Sequence, residues 1–369
     1  MNTMSCAGAG MRFFKLPAVF LSLVLISGCG GVALKDSFSS LSQTYAELSN
    51  EQMLMNLARR ANSHSTYFMQ MSSINSSFSF GATMGSTFTD GRTIGAVVAG
   101  VLTKTFSFVG TLGLSATESP NFSFTPLSGD VFAKSLFSPI DTKIFFEQLK
   151  QGVPVDQLMR ILLVSVSLEY PTGKKMVLSN VPDKMRPQNF RNFLRLAALT
   201  RQLQLNQALN IAVVNNENIL EIPPEAKNLL LKLYSDPKYS FWQDGVSGLD
   251  INDGIPKVSF VMRPFSAILG AVGGAQGRFE QWLQAGGKLT DVPDFERKPI
   301  LTMIWGEHDK LTPAVAEVDY LGTTYKIADL DNEEHSTWNR DSFRILTDLF
   351  TIISIDPKQL PMQQLIKVF

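Results

Sequence analysis

Apolar residues keep to alternate positions from Ile74 to Phe88 and again, with Val109 as the exception, from Phe106 to Ala116, the sharpest hydrophobic pattern in the chain. In the first stretch the even positions include Ile74, Phe78, Phe80, Met84 and Phe88, while every odd position is Ser, Asn, Gly or Thr. The second keeps the same parity through Phe106, Phe108, Leu112, Leu114 and Ala116, and Phe122 and Phe124 prolong it beyond Pro120. Successive side chains of a strand point to opposite faces, so each stretch predicts a long strand with one apolar face and one small, uncharged, polar face. The intervening Asp90–Lys104 carries Ile94, Val97, Val98, Val101 and Leu102 at helical spacing. The expected element is a long amphipathic antiparallel β-hairpin near the N-terminus, with membrane-length segments at 74–88 and 105–117.

Three- and four-residue spacing governs most of the remainder. Ser49-Asn50-Glu51-Gln52 reads as a helix start with Met53, Leu54, Leu57, Ala58 and Ala61 on one face, and Arg59 and Arg60 close it at the negative end of its dipole. Further helices are predicted at 129–137, 142–151, 155–168, 188–205, 224–234 and 265–285, with a last one from Asn339 through Phe350. Val155, Leu158, Met159, Leu162 and Val166 form one such stripe. Short strands are predicted at 208–214, 218–222, 257–262, 299–305, 315–320 and 323–328, the last two joined by a Leu321-Gly322 turn. The expected class is α+β, the hairpin being followed by a mixed body of helices and short strands. The expected division is a signal segment at 1–28, a Gly/Ser/Thr-bearing tether at 29–48, a helix-plus-hairpin region at 49–128 and an α+β body at 129–369.

The 369 residues suffice for one large core or two modest ones. Lys plus Arg equals Asp plus Glu at 33 each, so no global field draws the chain to nucleic acid, and none is expected as a partner. Of the two cysteines, Cys6 precedes the expected cut, which leaves Cys29 alone and excludes a disulfide framework.

Cys29 closes the run Leu25-Ile26-Ser27-Gly28-Cys29 at the end of an apolar stretch that begins at Leu16, behind a basic head of Arg12 and Lys15. This run resembles the lipobox of exported bacterial lipoproteins. The resemblance implies a diacylglycerol on the Cys29 thiol, cleavage after Gly28 and acylation of the new amine by a palmitate-like chain. Either Met1 or Met11 would serve as the start. An aspartate after the cysteine tends to hold such proteins at the inner membrane; Gly30 stands there instead, which favours the outer membrane, facing the periplasm or the cell surface. The implied partners are that membrane and the lipoprotein processing and sorting machinery, with a homo-oligomer or envelope complex as the further possibility.

Candidate chemistry is sparse. The stretch 298–313 is similar to the late strand of α/β-hydrolases, where Gly-x-x-Asp precedes a proline; on that analogy Asp309 is the acid and His335 the base. The chain has no Gly-x-Ser-x-Gly elbow, and Gly245-Val246-Ser247-Gly248-Leu249 fails at its last position. His64, His308 and His335 are scattered, without metal-ligand spacing. Gly270–Gly277 lacks the lysine of a phosphate loop and reads as helix packing or a kink, while Asp329 and Asp331 read as solvated loop carboxylates. The expectation is therefore no enzyme and no catalytic, cofactor-binding or metal residue, with Cys29 as the only site.

Ser49-Asn50-Glu51-Gln52-Met53-Leu54-Met55-Asn56-Leu57-Ala58-Arg59, the run Phe124–Ile140, and Asp319–Asp329 followed by Phe343–Phe350 resemble a group of uncharacterised proteobacterial outer-membrane lipoproteins. The chain departs from that group at Thr324-Tyr325, where an aromatic pair is usual. The resemblance implies an exported, lipid-anchored protein and supplies no activity. Three functions follow in order: a non-enzymatic binding or assembly component of the envelope; an oligomeric pore or export lipoprotein that inserts the hairpin; and a hydrolase using Asp309 and His335. The hairpin pattern suits a sheet packed on one face as well as one in lipid, where only a barrel closed with further copies would satisfy its edges.

Overall fold

The computed structural model describes residues 15–83, 105–109, 113–214, 217–239, 256–274, 276–285, 293–306, 312–329 and 337–354. Within them the chain is α+β, with helices around small antiparallel sheets. Helix α1 (Lys15–Ala61) leads into β1 (Met69–Thr83), β2 (Thr105–Val109) and β3 (Gly113–Pro126), hydrogen-bonded in the order β1-β3-β2. Then come α2 (Asp130–Phe137), α3 (Thr142–Lys150), α4 (Val155–Leu162), β4 (Leu163–Glu169), β5 (Lys175–Ser179) and α5 (Pro187–Leu205). The hairpin β6 (Asn210–Val214) and β7 (Glu217–Glu221) precedes α6 (Lys227–Ser235), β8 (Lys257–Met262), α7 (Phe265–Gly273), α8 (Gln276–Ala285) and α9 (Asp294–Arg297). The chain continues with β9 (Ile304–Trp305), β10 (Ala316–Tyr320), β11 (Thr323–Ile327) and α10 (Trp338–Ser354), and two further sheets have the orders β5-β4-β8 and β10-β11-β9.

One core joins most of these elements. It takes Leu54 and Leu57 from α1, Leu158 and Leu162 from α4, Phe193 from α5, Phe265 from α7, Trp282 from α8 and Phe343 from α10, each no more than 2% exposed. Residues 53–58 and Phe68 therefore share the core of the body that follows. Helix α4 is the centre: seven of its eight residues are buried. A buried helix end needs partners for its last carbonyls. Asn180 Nδ2 donates to the carbonyls of Arg160 and Leu163, both at 2.8 Å, and Arg263 Nη1 donates to those of Arg160 at 2.9 Å and Ile161 at 3.2 Å.

Several expected elements divide differently. The predicted helix 155–168 stops at Leu162, because Leu163-Val164-Ser165-Val166-Ser167 switches to a two-residue period and pairs with β5 and β8. The predicted 265–285 helix breaks after Gly273 into α7 and α8. A side chain at Gly273 would stand 3.0 Å from the Leu57 carbonyl oxygen, so the glycine allows α7 to lie close on α1, and the run 270–277 serves packing and a break as its composition suggested. Of the strand expected at 299–305, only β9 is paired. The 29–48 tether is part of α1: Gly and Ser suggested a coil, but Val32-Ala33-Leu34-Lys35 and the later Ala and Leu sustain the helix. The expected strands 74–88 and 105–117 become three, at 69–83, 105–109 and 113–126, while 84–104, with the helical spacing of Asp90–Lys104, lies outside the described residues. The Leu321-Gly322 turn is as predicted, with φ of 52° and 76°, the left-handed pair that matches strand twist.

Candidate functional site

Cys29 falls within α1, and its side chain lies outside what is described. From Phe38 to Leu48 the helix is largely solvated, Phe38 being 72% exposed, and burial begins only at Met53 and Leu54. From Cys29 to Ser49 a helix rises about 30 Å, at about 1.5 Å per residue. Among the described residues no helix is long and apolar enough to cross a membrane.

The sheet β1-β3-β2 is defined by its register. β3 sets Phe122 opposite Ile74, Ala116 opposite Phe80 and Leu114 opposite Ala82, and it sets the same Ala116 and Leu114 opposite Phe106 and Phe108 of β2. Directly opposed residues share a face, so the even positions of β2 and β3 and those of β1 from Ile74 onward fall together, and Ser, Thr, Asn and Gly predominate on the other face. The pairing shifts between Met71 and Ser73, which sets Met71 opposite Phe124 and Met69 opposite Pro126. This bulge brings two odd-numbered methionines onto the face of the even-numbered apolar residues, and parity alone does not reveal it. Glu118, opposite Phe78, is the charge on that face among the paired positions.

Several cavities lie among the described residues of the body, and two of them are lined in part by α4. The first, about 710 Å³, is bounded by α4, α5, α9 and the start of α10, and Asp156, Gln157, Arg201, Phe295 and Trp338 are among its lining residues. Burial holds the Asp156 carboxyl above its ordinary value, with Arg201 and Arg160 opposing in part. The Arg201 guanidinium stands 3.9 Å away, and Asp156 Oδ1 and Gln157 Oε1 are buried without hydrogen-bond partners. A perturbed acid in a cleft is a common mark of chemistry, and Lys238, Tyr239, Lys298 and Thr337 also line this one. Its raised value makes the ionised form a liability in the folded state. The contribution of Asp156 to stability is thus full below the unfolded aspartate value of about 4 and falls as pH rises through the folded value. Asp156→Asn is expected to be more stable than the parent at pH 7, with the margin closing at about pH 4. Urea titrations at both values check this; a variant weaker at pH 7 and equal in acid would contradict it.

The second cavity, about 450 Å³, includes Arg60, Arg160, Arg263 and Arg278 in its lining. Arg160 and Arg263 are 4% and 5% exposed, and desolvation pulls each guanidinium down to about 10. Arg160 donates to the carbonyls of Phe295 at 3.3 Å and Lys298 at 2.5 Å, at the end of α9, and lies 5.3 Å from the Trp338 ring. Both buried arginines thereby act as caps for helix C-termini.

Asp309 and His335 lie outside the described residues, as do His308 and the Gly245–Leu249 run. The strand pairs that are described are all antiparallel, and β9, which leads toward Asp309, pairs antiparallel with β11. The parallel sheet that gives the hydrolase motif its meaning is not found among them. His64 bonds to the Tyr320 hydroxyl, and no group of three metal-ligating side chains occurs among the described residues. Asp329, expected to be solvated, is 5% exposed. Its carboxylate accepts from Asn339 N and Arg340 Nε, both at 2.7 Å, because β11 delivers it to the start of α10. Glu296 is likewise buried, between Arg191 at 3.1 Å and Arg195 at 2.7 Å. The i, i+4 spacing of those two arginines was the only visible hint of a shared partner. Comparison with family models, with curated proteins and with solved structures finds no match to this chain.

Proposed function

We propose that this protein is a lipid-anchored component of the bacterial envelope, attached through Cys29 to the outer membrane, whose work is binding or assembly rather than catalysis. In this reading a long amphipathic hairpin near the N-terminus is the working surface, and the solvated half of α1 is the spacer between lipid and body. The register of β1-β3-β2 carries the reading, because it gathers the apolar positions of three strands on one face, with a bulge that preserves the face. The lipobox order of Leu25 through Cys29 supports the anchor. Cys29→Ala is expected to abolish lipidation, leaving an uncleaved precursor with no lipid-dependent mass and no stable outer-membrane fraction. Unchanged mass and fractionation would overturn the anchor.

The same register favours a second reading, an oligomeric pore or export lipoprotein. β1 and β3 have 15 and 14 residues, longer than the roughly 10 that cross a bilayer as a tilted strand. Lipid does not tolerate open sheet edges, so such strands require further copies to close a barrel. Deleting 74–117 is expected to convert a detergent-stable oligomer into a monomer with an intact body. A parent that is already monomeric in detergent, with assembly unaltered by the deletion, would remove this reading and leave the first.

A further inference from the structure

Four cations share one cavity. The 450 Å³ cavity has Arg60 of α1, Arg160 of α4, Arg263 after β8 and Arg278 of α8 in its lining, and no carboxylate lines it among the described residues. The acid that acts on Arg160, Asp156, lines the other cavity. Arg263 is held rigidly by three carbonyls, those of Arg160, Ile161 and Asn180. Its like-charged neighbour Arg278 adds to the burial that lowers it. Gly270 leaves room for Arg60, whose Nη2 would stand 3.4 Å from any side chain there. Gln276, also in the lining, has a buried Oε1 with no partner; turning the amide over presents its NH2 to the cavity instead.

Helix capping accounts for Arg160 and Arg263 but not for Arg60 and Arg278, which are exposed. Like charges gathered at one concavity raise the local concentration of anions, and guanidinium forks match tetrahedral oxyanions. We propose that this cavity binds a phosphate-bearing ligand, with Arg263 as its fixed floor and Arg60 and Arg278 closing on the oxyanion from the rim. The chemistry is that of a phosphate monoester, and it is met equally by a free phosphorylated solute or by a lipid headgroup.

Arg60→Gln with Arg278→Gln removes the rim charges while keeping the capping arginines and much of the side-chain packing. Inorganic phosphate, added to the detergent-purified full chain at ionic strength matched with sodium chloride, is expected to raise the thermal midpoint of the parent. The double variant should need at least about tenfold more phosphate for the same rise. Short-chain phosphatidic acid against short-chain phosphatidylcholine separates the sources. A rise with phosphatidic acid alone of these two supports a headgroup, and a rise with phosphate but neither lipid supports a soluble ligand. No rise with phosphate or phosphatidic acid, or an equal rise in the double variant, overturns the proposal. The double variant's unliganded melt, matching the parent, establishes that its fold is retained.

Discussion

Replacing Glu296 with alanine is expected to destabilise the fold by about 3–5 kcal/mol. The carboxylate is 1% exposed, and its partners are two arginines of α5, Arg191 and Arg195, whose side chains are 18% and 13% exposed. Removing the acid leaves two largely desolvated cations facing each other across the site it occupied, which costs far more than the net worth of the bonds themselves. Arg191 also packs over the Trp282 ring at 5.9 Å, so the disturbance reaches a residue of the main core. Helix α9, only four residues long, is pinned by this triad on one side and by Arg160 on the other. A loss of that size is a large share of the 5–15 kcal/mol typical of a domain. Urea unfolding monitored by tryptophan fluorescence measures it. A second variant, Arg191→Met, Arg195→Met and Glu296→Leu together, should recover most of the loss, because an apolar replacement removes all three charges at once. A loss below about 1 kcal/mol in Glu296→Ala would show that water reaches the arginines and relieves them.

That triad also shows where the sequence stops being legible. Elements with a sustained period were readable: α5, β8, and the β10–β11 hairpin with its left-handed turn all follow from residue spacing. Boundaries failed where a change of period was short. Val164, Val166 and Leu168 continue an apolar stripe well enough to mimic the end of α4, and only their alternation with serine, β-branched at the two valines, betrays a strand. The break between α7 and α8 depended on what Gly273 meets, namely the Leu57 carbonyl far away in the chain. The buried polar groups were hidden for the same reason. Arg195 and Glu296 are separated by 101 positions, Arg160 and Lys298 by 138, and Arg263 and Asn180 by 83. No local rule distinguishes Asp329, a buried cap, from a solvated loop carboxylate such as Asp331 was expected to be. The arginine cavity is a product of four separate elements meeting, and each of its residues reads locally as an ordinary surface cation or helix terminus.

Asp329→Ala is expected to cost about 2–4 kcal/mol and to loosen one helix in particular. The carboxylate stands outside α10 yet accepts from Asn339 N, at the helix's second position, and from the Arg340 side chain. Asn339 in turn bonds in both directions to Thr302 and donates to Ala328, so the start of α10, the segment before β9 and the end of β11 share one network. Losing a cap is worth about 1–2 kcal/mol, and losing a charge-assisted bond to Arg340 about 1.5–3; within one network the two overlap rather than add. Asp329→Asn keeps an acceptor for Asn339 N but gives up the charge, and it should lose roughly half as much. Hydrogen exchange of the first-turn amides of α10 provides the local readout, and denaturant midpoints the global one. Equal protection in parent and alanine variant, with a loss below about 1 kcal/mol, would refute the assignment. The consequence extends to the working surface, since α10 carries Phe350, which stacks on Phe68 at 4.4 Å, and Phe68 immediately precedes β1. If Asp329 holds α10 and α10 holds the root of β1, then Asp329→Ala and Phe68→Ala should weaken the fold less together than the sum of their separate losses. Strict additivity would place the root of the sheet outside this network.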